Sequence, residues 1–264
     1  MPAGTILVRD AIWRYSALVG DYDPQYQMWP EVETVNWFND AALAINKFLP
    51  SACSRVDAIK LRAGTFQSIE AVAAADCKPG DGTTPSAVIL GTLVLDVICN
   101  MGSDGLTPGK AIRMIPRARE ALDTETPLWH TLTSSTIDQW LFDPRTPRVF
   151  YVSKGVTGTV WARVAYNAQP IPIPAGGAPG AELYLVGGSN TATIPVSDEH
   201  IDDLVNYAVA RAKMKAKDYG DNAGAQVYSA LFVNSINAKV AAVTGSNPNL
   251  KQLPFAPTPL GQAS

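Results

Sequence analysis

The chain has 264 residues, 47% of them hydrophobic, with a formal net charge of −3. That is enough for one large domain or two small ones with a real core. Charged residues make up 17%, below the ~25% usual in soluble proteins, and form no basic stripe: Lys213, Lys215 and Lys217 scatter round a predicted helix. A direct electrostatic grip on nucleic acid is therefore disfavoured.

Residues 6–18 are predicted to form a helix, with Ile6, Ile12, Trp13 and Leu18 near helical spacing and Gly20 placed to end it. Residues 21–30 form a turn-rich link. A second helix is predicted from Glu31, where Val32, Val35, Phe38, Ala42, Ile45 and Leu49 keep the i, i+3, i+4 pattern between Pro30 and Pro50. From Val56 the period changes to two, so Ile59, Leu61 and Ala63 are expected on one strand face, with Gly64 as a turn or bulge. Residues 75–85 are expected as loop, 88–100 as a β-rich run and 101–109 again as loop. Residues 112–120 fit a short helix or a strand bending at Pro116. Residues 137–142, 148–152 and 160–166 read as strands, 170–180 as a Pro/Gly loop and 183–186 as a last short strand. Helix returns after Pro195, with Ser197 as N-cap and Asp198 and Glu199 in the first turn. Its apolar stripe is Ile201, Leu204, Val205, Ala208 and Ala212; Gly220 breaks it. A further helix is predicted over 223–243, with Val227, Leu231, Ile236 and Val240 inward. Residues 244–264 hold Pro248, Pro254, Pro257 and Pro259, which forbid helix and favour an extended course.

The implied fold class is α+β. An antiparallel helical bundle is built from the N- and C-terminal helices (1–52 and 196–243), with a β-rich domain (53–195) inserted between its halves and an extended tail over 244–264. Leu250, Leu253, Phe255 and Leu260 in the tail are too sparse for a private core but suit successive pockets on a partner.

Chemistry-bearing motifs are few. The chain holds no P-loop, GxGxxG, HExxH or GxSxG pattern. Cys53, Cys77 and Cys99 stand far apart, and the histidines are His130 and His200, so zinc-site spacings do not occur and free thiols without metal are expected. An odd cysteine count without a signal-peptide pattern points to synthesis in a reducing cytoplasm. The longest apolar run, 87–99, is too short to span a bilayer. Asp138 and Asp143 could form the carboxylate pair of a glycosidase, but Asp143 precedes Pro144 in a clear turn, where Asp commonly bonds its own backbone. Trp29, Trp37, Trp140 and Trp161 are expected as core or interface anchors rather than a sugar-stacking row.

The order of short motifs resembles the head-to-tail adaptor (connector) proteins of tailed bacteriophages. Trp29 precedes a helix carrying Trp37-Phe38-Asn39-Asp40 and ending at Pro50. A strand then leads through Leu61 into a Gly-Thr-x-Gln turn, Gly64 to Gln67. Asn100, Pro127-x-Trp129 and a Phe-Asp-Pro-x-x-Pro-x-x-Phe-Tyr-Val run, Phe142 to Val152, come next. The closing helices match at Ile201, Leu204, Tyr207, Arg211, Ala212, Lys217, Asp218, Ala225, Tyr228 and Phe232. The likeness covers about residues 5–240. It departs at Ser68-Ile69, where Leu-Pro is expected, and in a longer acidic loop over 79–85.

The resemblance implies a structural part of the virion at the head–tail junction, without cofactor, metal or catalytic residues. It implies a dodecameric ring between portal and tail, touching the portal protein above and tail tube, nozzle or fibre proteins below. Viral DNA would be met only as channel contents, and no membrane is involved. It also implies that Leu250, Leu253, Phe255 and Leu260 grip the portal. Other virion roles (tail tube, fibre joint, decoration) and a virion-borne cell-wall glycosidase are the competing readings.

Overall fold

The computed structural model describes residues 4–21, 28–79, 88–115, 119–174, 184, 191–215 and 221–246. The chain is mixed α+β, with helices at both ends flanking a β-rich middle, and divides into two compact units. One comprises Met1–Cys53 and Pro170–Ser264, the other Ser54–Gln169.

In the first unit, α1 (Val8–Val19) ends at Gly20, whose left-handed φ of 81° lets its N–H return to the Ser16 carbonyl. Helix α2 spans Glu31–Phe48, and Pro50 starts a 3-10 turn instead of a further helical turn. After the β-rich middle come α4 (Ile201–Lys215) and α5 (Asn222–Ser246), α3 (Arg119–Glu125) belonging to the other unit. Helix α4 packs against α1, α2 and α5. Ile12, Phe38, Ile45, Leu204, Ala208 and Ile236 are buried in one core that draws on all four helices. Helices from opposite ends of the chain thus satisfy one another's apolar faces. α4 and α5 run antiparallel, since Lys239 late in α5 reaches Asp203 early in α4, while Lys213 meets Asp221 just ahead of α5.

The inward stripe of α5 differs from expectation. Val227 and Leu231 face out, and Ala225, Phe232, Ile236 and Val240 face in. Apolar residues occur on every side of this helix, so periodicity alone does not select a face.

The expected boundary at 195 also shifts. Ile173, Tyr184 and Ile194 are buried in the helical core, so residues from Pro170 onward belong with the helices. The Asn39 side chain exchanges hydrogen bonds with the Ile173 backbone, and Glu31, buried at the start of α2, accepts one from the Tyr184 N–H. Farther on, Gly4, Ile6 and Val8 share backbone hydrogen bonds with Ile194 and Ala192. Ser197 makes no capping bond. It keeps the N-cap position of the 3-10 turn that leads into α4, and beside it Asp198 accepts from the N–H groups of Thr5 and Ile6, at 2.7 and 3.1 Å.

In the second unit, β1 (Ser54–Lys60), β2 (Gly64–Ser68), β3 (Cys77–Pro79), β4 (Gly91–Met101), β5 (Pro108–Ala111) and β6 (Arg113–Met114) precede α3 (Arg119–Glu125). Then follow β7 (Thr133–Ser134), β8 (Gln139–Phe142), β9 (Val149–Val156) and β10 (Trp161–Ala168). One sheet has the order β3-β1-β10-β4-β5 and is antiparallel throughout. The other runs β2-β9-β8-β6, with a parallel β6/β8 pair and β7 alongside β9. Ile59, Val97, Val164 and Tyr166 from the first sheet share a buried core with Trp140, Phe142, Phe150 and Val152 from the second. Ile59 and Leu61 point inward as the period-two pattern predicts, while Ala63 is exposed. Residues 77–79, expected as loop, form an edge strand on β1; three residues are too few for alternation to register. Residues 112–120 resolve into both alternatives, a strand to Met114 and a helix from Arg119. The strand expected over 183–186 lies outside the described residues except for Tyr184, which sits in a bend.

Candidate functional site

Leu250, Leu253, Phe255 and Leu260, the residues expected to meet a partner, lie outside the described residues. The other candidates fall into four groups.

The turn motifs prove to be fasteners. Gln67 is buried, accepts from the Arg62 N–H at 2.8 Å and donates to the carbonyls of Arg62 and Gly64 at 2.8 and 3.0 Å. It locks the β1–β2 turn, where Gly64 takes φ 97°. Asn100, also buried, donates to the Ile137 and Lys110 carbonyls and accepts from the Ile137 N–H at 2.8 Å. A strand of the first sheet is thereby tied to the segment entering the second.

The two carboxylates of the glycosidase reading are committed elsewhere. The Arg145 side chain and N–H donate to Asp143 and hold its carboxyl below the usual range. Lys110, at 2.8 Å, with help from Lys154, does the same for Asp138. A glycosidase acid needs a raised pKa to be protonated at work; both shifts run the other way.

His130 lies in the 3-10 turn Trp129–Thr131. Its Nδ1 lies 2.8 Å from Thr65 Oγ1, and its Nε2 lies 3.8 Å from Asp123 Oδ1. The Asp-His-Thr order resembles a nucleophile relay, but a relay requires the carboxylate to hydrogen-bond and orient the imidazole. Asp123 instead accepts from Trp129 Nε1 at 2.8 Å, fixing the Pro127-x-Trp129 motif to α3. Trp129 is buried beside Tyr151.

His200 sits in a buried knot between α4 and α5. Lys239 Nζ donates to Asp203 Oδ2 and to the Glu199 carbonyl, each at 2.6 Å, and His200 Nδ1 lies 2.9 Å from the same carboxylate oxygen. Burial pushes the Asp203 pKa up, but hydrogen bonds from His200, Lys239 and Ser235 outweigh it and hold the carboxyl below its ordinary value. The knot joins two helices and faces the core, as structural histidines do.

Five of the six tryptophans are buried or half-buried; Trp13 is 44% exposed. Trp29 and Trp37 stack edge to face, and Trp140 packs on Phe150. The three cysteine thiols are free, with Cys77 and Cys99 buried. Among the described residues no helix is long and apolar enough to cross a membrane, and no three His, Cys, Asp or Glu side chains group as metal ligands.

These groups hold elements of each unit together. The family model described as SU10 adaptor protein matches residues 5–252. The chain belongs to this family of phage adaptor proteins, in agreement with the likeness carried by its motifs. No curated protein matches it. The match runs through both units, so the fastened turns of the β unit and the shared core of the helical unit are parts of one adaptor.

Proposed function

We propose that the protein forms a ring, a dodecamer by likeness to head-to-tail adaptors, beneath the portal of a tailed phage. The ring joins the portal to the tail tube, nozzle or fibre proteins, and viral DNA passes through it as channel contents. The observation that carries this reading is the adaptor-family match across both units. The helical unit, read as an antiparallel bundle, meets the portal side, and its last helix leads directly into the tail that holds Leu250, Leu253, Phe255 and Leu260. An extended segment of that length reaches on the order of 60 Å at ~3.1 Å per residue, enough to cross from one subunit to a portal pocket. The low charge content suits a chain much of whose surface meets neighbours.

The test compares the full chain with one ending at Ser246, the last residue of α5, for binding to the portal protein of the same phage; the helix runs three residues past the expected end at 243. The shortened chain is expected to keep its helix content and melting temperature and to bind portal rings far more weakly. Phe255→Ala is expected to lose part of the same affinity. Equal binding by both chains removes the tail from the contact. Absence of any ring on the portal removes the adaptor geometry altogether.

A further inference from the structure

Helix α5 spans 25 residues and carries one charged side chain, Lys239. That charge turns inward, to Asp203 on α4. The outer face therefore has none. Val227, Ala230, Leu231, Asn234, Ala238 and Ala241 are all exposed, Val227 at 57% and Leu231 at 48%. At 100° per residue these six fall within an arc of about 100°. The opposite side of the same helix, with Phe232, Ile236 and Val240, is already buried in the core. A helix face that meets water ordinarily carries charged and polar side chains; among these six only Asn234 is polar. The outer face of α5 is thus composed to be covered.

The same unit carries a surface of matching character. Helix α1 packs on α4, as α5 does, and directs Trp13, Ala17 and Leu18 outward. Trp13 is the one tryptophan in the chain classed as exposed. The charges beside it are paired among themselves, Arg9 with Asp10 at 3.5 Å and Arg14 with Asp202 at 3.6 Å. One face offers a protruding aromatic ring. The other offers a low floor of alanines edged by Val227 and Leu231. Neither holds an unpaired charge whose desolvation would oppose contact.

We propose that the outer face of α5 docks on the Trp13 face of α1 in a second copy of this chain. The inference rests on the ring reading above and names the surfaces that close the ring. Two different faces on one unit give a heterologous contact, the kind that generates rings. Exposed tryptophan is the side chain most often found at the energetic centre of such contacts. The α5 face, from Val227 to Ala241, is roughly 20 Å long and 10 Å wide, on the order of 200 Å², against the ~800 Å² per partner of a stable pair. A single contact is therefore weak, and assembly is expected on the portal rather than in dilute solution.

The experiment places a photo-crosslinking residue at Ala230, and separately at Ala238, in the full-length chain. Light and heavy isotope-labelled protein are mixed, assembled on the portal protein of the same phage, irradiated and digested. Mixed-isotope peptide pairs joining α5 to α1 are expected. Trp13→Ala and Leu231→Glu are each expected to lower their yield several-fold with an unchanged thermal melting curve. An intact ring whose crosslinks join α5 to α5, or to any segment other than α1, overturns the inference and leaves the ring reading standing. Crosslinks within single chains alone, in an intact ring, do the same. Failure to form a ring on the portal, with no mixed-isotope pair, sinks both.

Discussion

Asn39 and Ile173 exchange two hydrogen bonds across 134 residues of sequence: the Asn39 amide donates to the Ile173 carbonyl at 3.0 Å, and the Ile173 N–H donates to the Asn39 side-chain oxygen at 2.7 Å. The chain leaving the β unit is thereby fixed to α2. Asn39→Ala removes both partners of buried or half-buried backbone groups and is expected to cost about 1–3 kcal/mol. Asn39→Asp keeps the acceptor and should cost less. Urea unfolding followed by tryptophan fluorescence measures both, and an unchanged midpoint for the alanine variant would show the clasp to be dispensable.

Breaking the knot between α4 and α5 should be costly. Lys239→Met leaves the Asp203 carboxylate, 1% exposed, without its closest cation. Losing one partner of a buried pair costs roughly 3–5 kcal/mol. The double variant Asp203→Leu with Lys239→Met should be closer to wild type than the lysine variant, because no charge is then left buried. Chemical denaturation of the three proteins decides it.

The same carboxylate sets a pH dependence. Its folded pKa is depressed, so its contribution to stability is full above the unfolded value of ~3.9 and is lost as pH falls through the lower folded value. Melting temperatures below about pH 4 should therefore fall more steeply for wild type than for Asp203→Asn. Parallel acid limbs would count against the knot.

Gly64 takes φ 97° in the β1–β2 turn. An alanine there enters left-handed backbone at about 1–2 kcal/mol, although space for a Cβ is open. Gln67→Leu removes the three hydrogen bonds that lock the same turn and should destabilise by a similar amount or more. If Gly64→Ala is neutral in thermal unfolding, the turn relaxes into another conformation.

Alkylation should distinguish the thiols. Burial pushes Cys53 up to about 11 and Cys77 up to about 12, so neither is a ready thiolate at neutral pH. Native protein treated with iodoacetamide is expected to react slowly, with half-buried Cys53 ahead of buried Cys77 and Cys99. Denatured protein without reductant should take up three alkyl groups by intact mass. Fewer would reveal a disulfide.

Most of the secondary structure is legible in the sequence because it rests on local rules. Gly20 ends α1 through its own φ, Pro30 and Pro50 bound α2, and the period-two run at Ile59 and Leu61 makes a strand face, all without reference to distant residues. The order of short motifs also sufficed for the family: Gln67 and Asp143 each serve a fixed local geometry, while Asn100 bonds to Ile137, a partner that its own neighbourhood does not reveal. Tertiary structure alone decided the rest. Ile173 and Tyr184 join the helical core, where Asn39 and Glu31 supply hydrogen bonds from far away in sequence. Asp198 bonds the N–H groups of Thr5 and Ile6, contacts across the chain that no local pattern reveals. And α5, with apolar residues on every side, turns Phe232 toward Tyr207 and Lys239 toward Asp203 of α4, a choice of face that its own periodicity does not make.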